Sequence, residues 1–153
     1  GKTMQIKNKF AITIPARSCN ESFARACVSA FAVQLDPTIE EISDIKTAVS
    51  EAVTNCIVHA YPEPRERWGA NIYISVRLYD TREVTVEISD NGCGIADVGR
   101  AREPMFTTGG EDRSGMGITI MESFMTEFRI SSTPGKGTTV HMKRKIIHRG
   151  TKK

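Results

Sequence analysis

The sequence predicts an α+β fold, an α/β sandwich in which a single mixed, mostly antiparallel sheet carries helices on one face. Three observations predict it. Ile72, Ile74, Val76 and Leu78 alternate with Tyr73, Ser75, Arg77 and Tyr79, and Val84, Val86 and Ile88 repeat the alternation after a turn near Asp80-Thr81. Two one-sided strands so near each other in sequence pair as an antiparallel hairpin. Ile42, Ile45, Val49, Ala52, Val53 and Cys56 gather on one side of a helix that advances about 100° per residue. Helical and strand patterns then alternate without an internal repeat, so residues 1–153 are read as one domain, long enough to bury a core.

In chain order, Gln5–Ile14 reads as a strand, with Ile6, Phe10, Ile12 and Ile14 ending before Pro15. Ser18-Cys19-Asn20-Glu21 fits a capping box at a helix start, and the helix runs to about Leu35 with Phe23, Cys27, Ala30 and Phe31 on one face. Asp36 is read as the N-cap of a second helix, with Pro37 at its first position. That helix extends to about Tyr61, where Pro62-Glu63-Pro64 stops it. The hairpin follows a loop ending at Gly69. Residues 91–114 hold glycines, Pro104 and few apolar positions, with a short helix near Asp97–Arg102. Ile118, Ile120, Met121 and Phe124 mark a further helix, and Glu127–Ser131 and Thr138–Ile147 are two last strands around Thr133-Pro134-Gly135-Lys136-Gly137.

Composition narrows the function classes. With 39% hydrophobic and 25% charged residues, disorder is disfavoured, and a formal net charge of +3 is too small to argue for nucleic acid. Lys143, Arg144, Lys145, Arg149, Lys152 and Lys153 form a run without acids, read as a frayed, solvated basic tail in preference to an anion-binding arm. Cys19, Cys27, Cys56 and Cys93 form no CxxC pair and no zinc-like spacing with His59, His141 or His148. Cys27 and Cys56 sit on apolar helix faces and read as small buried hydrophobes in a reducing cytosol. No apolar run approaches the ~20 residues of a membrane span. The start does not resemble a secretory signal, and Met4 is read as the native start behind three added residues.

Three separated segments carry the chemistry. Glu51 and Asn55 lie one helical turn apart, in a stripe with His59 that flanks the apolar face. Polar groups at that margin sit at the wall of a cavity. Side chains one turn apart stand about 5–6 Å from each other, close enough to serve one phosphate centre. An Asn oxygen can ligate Mg²⁺, which takes one or two protein groups beside phosphate oxygens, and a neighbouring carboxylate can accept a proton from an attacking hydroxyl. Asp90-Asn91-Gly92-Cys93-Gly94 sets a carboxylate at a strand end before a glycine-rich bend, an acceptor for an exocyclic amine such as that of adenine. Gly115-Met116-Gly117 opens a helix whose free N–H groups attract phosphate. The preceding run from Phe106 to Ser114 is polar, glycine-containing and long enough to close over a ligand. Arg113 within it is placed either to pair with phosphate or to form an ion pair with Glu111 or Asp112. Each fragment alone fits a solvated helix face or a plain turn; in this order they point to ATP. Neither glycine segment completes GxGxxG, since Asp97 and Ile120 occupy the third glycine positions. No Walker A loop exists either: Ile130 stands where the first glycine before Lys136 belongs, and nothing precedes Gly1-Lys2-Thr3.

These residues resemble the Bergerat-fold (GHKL) ATPases. Glu51 and Asn55 match the asparagine box, Asp90-x-Gly92-x-Gly94 the first glycine box, Gly115-x-Gly117 the second, and Gly137-Thr138-Thr139 a late Gly-Thr element. Within that superfamily, Asn20–Arg25, Gln34–Thr38, Ser50–Asn55, Phe106-Thr107-Thr108, Arg113–Gly117 and Ile120–Met125 look like the small serine-kinase anti-sigma factors of the sporulation type, from about residue 5 to 146. The resemblance implies sequestration of an RNA polymerase sigma factor and Mg-ATP-dependent phosphorylation of a serine on a small anti-anti-sigma (STAS) protein. Carried over by position, Asn55 is the Mg²⁺ ligand, Glu51 the general base and Asp90 the adenine acceptor, with Thr138 beside it. Gly92, Gly94, Gly115, Met116 and Gly117 line the base and phosphate paths, with Thr107, Thr108, Arg113 and Ser114 in the lid. Arg25 on the first helix faces protein partners, and the active form is a cytoplasmic homodimer that binds neither nucleic acid nor membrane. The family usually carries Lys after Phe-Thr-Thr, where this chain has Gly109; Asn91 replaces a common acidic residue. The resemblance thus leaves open an ATP-controlled binding switch without efficient phosphotransfer, or an anti-sigma factor of the general stress type.

Overall fold

The computed structural model describes residues 4–60, 69–92 and 115–147, with side chains for all but 59, 60, 115–118 and 120. Five strands, β1 (Ile6–Pro15), β2 (Asn71–Tyr79), β3 (Glu83–Asp90), β4 (Glu127–Thr133) and β5 (Gly137–Lys145), form one sheet in the order β1-β2-β3-β5-β4. Every pairing among them is antiparallel, which refines the mixed sheet expected from the sequence. Among the described residues, two α-helices lie between β1 and β2, which run in opposite directions. One lies between β3 and β4, which run the same way, and β5 inserts between them.

The α-helices among the described residues are α1 (Asn20–Ala32), α2 (Ile39–Asn55) and α3 (Gly115–Phe124). A 3₁₀ turn, Val33–Leu35, follows α1, and a π-helical turn, Cys56–Ala60, continues α2. The α2 helix lies centrally, packed against both α1 and α3. Alternation places Ile72, Ile74, Val76 and Leu78 of β2 and Val84, Val86 and Ile88 of β3 in the core, where Ile45, Val49, Val53 and Met121 meet them. The register aligns Ile74 with Ile88 and Val76 with Val86, so both strands present one apolar face. No helix among the described residues is long and apolar enough to cross a membrane.

Several sequence expectations are corrected. Asp36 does not cap α2: it adopts the left-handed conformation (φ 56°), and Thr38 is the N-cap. Thr38 Oγ1 accepts the Glu41 N–H (3.1 Å) while Glu41 carboxylate accepts the Thr38 N–H (3.0 Å), a complete capping box. The second Glu41 oxygen accepts the Ile147 N–H at 2.9 Å, which satisfies a carboxylate only 2% exposed. Ser18 and Glu21 form no such box. The chain is already turning there through the Asn20 N–H to Arg17 carbonyl bond, and Cys19 takes the N-cap position with helical dihedrals. Cys56 is buried as expected, but Cys27 is only half-buried. Nor do Lys143–Lys145 belong to a frayed tail. They lie in β5, with Lys143 near Glu127 (3.3 Å) and Glu83 (3.7 Å), Arg144 on Asp44 (2.7 Å), and Lys145 donating to the Thr81 carbonyl (2.6 Å). The short helix near Asp97–Arg102 falls outside the described residues.

Candidate functional site

Asn55 is the last α-helical residue of α2, and Cys56 opens the π turn. Such turns widen the helix by one residue and recur at functional sites. Asn55 Oδ1 is shielded from solvent and has no hydrogen-bond partner among the described residues. A buried amide oxygen left so costs roughly 1–3 kcal/mol unless a ligand supplies a partner. Glu51, one turn earlier on α2, is half-buried.

Cys56, beside Asn55, is 4% exposed and its thiol donates to the carboxylate of Asp90. Asp90 ends β3 opposite Thr138 of β5 and is 6% exposed. The Gly92 N–H donates to its Oδ1 at 2.9 Å, closing an Asx turn, and the Thr138 N–H donates to the same carboxylate. Burial nevertheless pushes the Asp90 carboxyl above the usual carboxylate range, because the three donors offset only part of the desolvation. Burial likewise raises the Cys56 thiol, with the Asp90 charge adding to it, so the sulfur stays protonated and acts as a donor. Behind Thr138, its hydroxyl pairs with that of Ser132 at 2.8 Å, and Ser132 Oγ also lies 3.1 Å from the Gly137 carbonyl it donates to.

Of the residues singled out by sequence, Asp90, Gly92 and Thr138 therefore meet at the adjoining ends of β3 and β5, and Asn55 is linked to them through its neighbour Cys56. Gly115, Met116 and Gly117 form the first turn of α3, which packs on α2. Gly94, Thr107, Thr108, Arg113 and Ser114 lie outside the described residues, as does the His59 side chain. Arg25 is on α1, 41% exposed and 3.5 Å from Glu21. It shares an open groove between α1 and α2 with Ser43, Lys46, Thr47, Ser50 and Glu51, so Glu51 adjoins that groove as well as Asn55. Sequence reading missed Cys56 and Ser132 as members of the site. The proximity of Cys56 to the asparagine box was the one available signal.

The donor set defines which ions fit. Among the described residues no group of three or more His, Cys, Asp or Glu side chains could hold a metal. One orphaned amide oxygen instead suits a hard cation that arrives with phosphate oxygens and water as its other ligands, as Mg²⁺ does.

Residues 14–144 match the family model of the histidine kinase-like ATPase domain. A protein of Caldanaerobacter subterraneus subsp. tengcongensis described as an anti-sigma F factor is 53% identical over 144 residues, 94% of this chain and 97% of that one. This chain belongs to the anti-sigma F factor family of histidine kinase-like ATPases. Another anti-sigma F factor, of Pasteuria penetrans, is 50% identical over 141 residues, covering 92% of each chain. Among solved structures, the RsbU and RsbW domains of a Mycobacterium tuberculosis protein superpose with a TM-score of 0.65 at 20% identity. The match covers 92% of this chain but 33% of that longer one, and at such identity it speaks to the fold alone. The histidine kinase domain of Erythrobacter litoralis EL346 gives 0.56 at 18% identity, over 87% of this chain and 62% of that one. This chain thus shares its fold with both.

Proposed function

We propose that this chain is an anti-sigma factor with protein-serine kinase activity. It would sequester a sporulation-type RNA polymerase sigma factor and use Mg-ATP to phosphorylate a serine of an anti-anti-sigma STAS protein, acting in the cytoplasm as a homodimer. The observation that carries this reading is the Oδ1 of Asn55, shielded and unpartnered among the described residues, one helical turn from Glu51 and adjacent to the Cys56–Asp90 contact. Relatives about 50% identical described as anti-sigma F factors support the sigma-factor partner.

Bound with the nucleotide, Mg²⁺ supplies charge neutralisation at the phosphates. Asn55 Oδ1 serves as its protein ligand. Asp90 accepts a hydrogen bond from the exocyclic amine of adenine, with Gly92 and Gly94 letting the backbone approach the base. The N-terminus of α3, at Gly115, Met116 and Gly117, offers N–H groups to phosphate. Glu51 accepts the proton of the partner's serine hydroxyl as its oxygen attacks the γ-phosphorus, and the bond to the β-phosphate oxygen breaks to release ADP. Thr107, Thr108, Arg113 and Ser114 would close over the phosphates, with Thr138 beside the base and Arg25 facing the protein partner.

Asn55→Ala, incubated with Mg-ATP and the STAS partner, is expected to leave the partner without the phosphate mass shift that the parent chain produces. An unchanged rate would remove Asn55 from the site. Gly109, where the family usually has Lys, favours a second reading in which ATP controls partner affinity without transfer. No mass shift with the parent chain, together with ATP-dependent capture of the partner, would establish that reading. Co-purification from the native host would identify the sigma factor and separate the sporulation type from the general stress type.

A further inference from the structure

Cys56 is buried between the helix layer and the sheet, and its thiol points at a carboxylate. A carboxylate has about four lone-pair sites on its two oxygens. At Asp90 three protein donors occupy such sites: the N–H groups of Gly92 and Thr138, and the Cys56 thiol. The two backbone donors belong to the sheet and the turn that ends it. Among the described residues, Cys56 is the donor that reaches Asp90 from the helix layer, one residue from Asn55, and the π turn packs against β3. Among the described residues, the carboxylate plane is thus restrained from two directions, and these three donors leave one acceptor position.

We propose that Cys56 is a positioning residue of the nucleotide site, holding the Asp90 carboxylate so that its remaining lone pair meets the exocyclic amine of the base. This deepens the proposed function and rests on its assignment of Asp90 as the base acceptor. A hydrogen bond to a charged group is strong enough to matter for orientation, even from a weak S–H donor. Replacing the thiol by alanine frees the carboxylate to rotate, whereas serine restores a donor of similar size. The effect belongs to the base, so it should appear in the choice between bases.

The test compares calorimetric Kd values for Mg-ATP and for purine riboside triphosphate, which lacks the exocyclic amine. The parent chain is expected to prefer ATP by about tenfold or more. Cys56→Ala and Cys56→Val, the latter filling the volume without a donor, should reduce that preference to about threefold or less by weakening ATP alone. Cys56→Ser should retain the preference. Equal weakening of both nucleotides in Cys56→Ala and Cys56→Val, or an intact preference in either folded variant, would overturn the positioning role while leaving Asp90 as the acceptor. A parent chain that does not distinguish the two nucleotides would overturn the Asp90 assignment itself.

Discussion

Gly137 lies so close to Asp90 that a Cβ built on it would collide with the Asp90 backbone oxygen and stand 2.9 Å from the Asn91 Cα. Its φ of +105° also belongs to the region that L side chains rarely adopt. The residue that starts β5 is therefore held against the residue that ends β3, and the buried Asp90 carboxylate sits at that closure. Gly137→Ala is expected to destabilise the fold by roughly 2–4 kcal/mol, combining backbone strain with overpacking against atoms that cannot rotate away. Gly135→Ala is the control. Its φ is +79° but nothing lies within 4 Å of the added methyl, so about 1 kcal/mol is expected. Urea midpoints of the two variants measure the difference, and equal losses would refute the steric argument.

Asp90 should oppose stability while serving the site. Its folded pKa is raised, so its contribution favours folding fully only below the unfolded carboxylate pKa and is lost as pH rises through the folded value. Near neutral pH the folded protein carries a buried charge whose donors offset only part of its desolvation. Asp90→Asn should then melt at a higher temperature than the parent chain at about pH 7, with the gap closing toward about pH 4. The same variant should lose detectable heat of ATP association. Calorimetric scans at the two pH values test the sign, and a variant less stable at neutral pH than at acid pH, relative to the parent, would contradict it.

The β2–β3 hairpin was legible because each strand is one-sided, and the observed register needs nothing beyond that alternation. The one-turn spacing of Glu51 and Asn55 was equally local. The start of α2 was not, because two start signals overlap within six residues. Asp36-Pro37 lost to Thr38-x-x-Glu41, and the reason is tertiary: Glu41 also receives the Ile147 N–H from the far end of the chain. Lys143–Lys145 misled for the same cause, since composition shows a basic run while their partners come from α2, β3, β4 and the Thr81 turn. Cys56 could be read only as apolar, because its partner is 34 residues away and the π turn that aims it has no sequence signature.

Glu51 is half-buried between Asn55 and the α1–α2 groove. As general base it should matter to transfer and little to nucleotide binding. Glu51→Gln keeps the shape and removes the basicity, so phosphorylation of the partner should slow by about 10²–10⁴-fold while the ATP Kd stays within about threefold. Single-turnover assays with saturating Mg-ATP measure the first quantity and calorimetry the second. Undiminished turnover would exclude the base role.

Arg144 joins three elements, β5, α2 and α3. From β5 its Nη1 donates to Asp44 of α2 at 2.7 Å and to the carbonyl of Phe124, the last residue of α3, at 2.6 Å. Both charged side chains are less than one-fifth exposed, so screening is limited, and a cation at the α3 C-terminus is favoured by the helix dipole. Arg144→Met would strand the Asp44 carboxylate and an end-of-helix carbonyl together. A loss of roughly 2–4 kcal/mol is expected in urea denaturation. Arg144→Lys should recover less than half of it, because the ammonium sits on a shorter, more flexible stem and is more strongly hydrated than the guanidinium. Asp44→Asn combined with Arg144→Met should cost less than the sum of the single changes, with a coupling of about 1 kcal/mol or more. Strict additivity would show that the ion pair is incidental and that Arg144 acts through Phe124 alone.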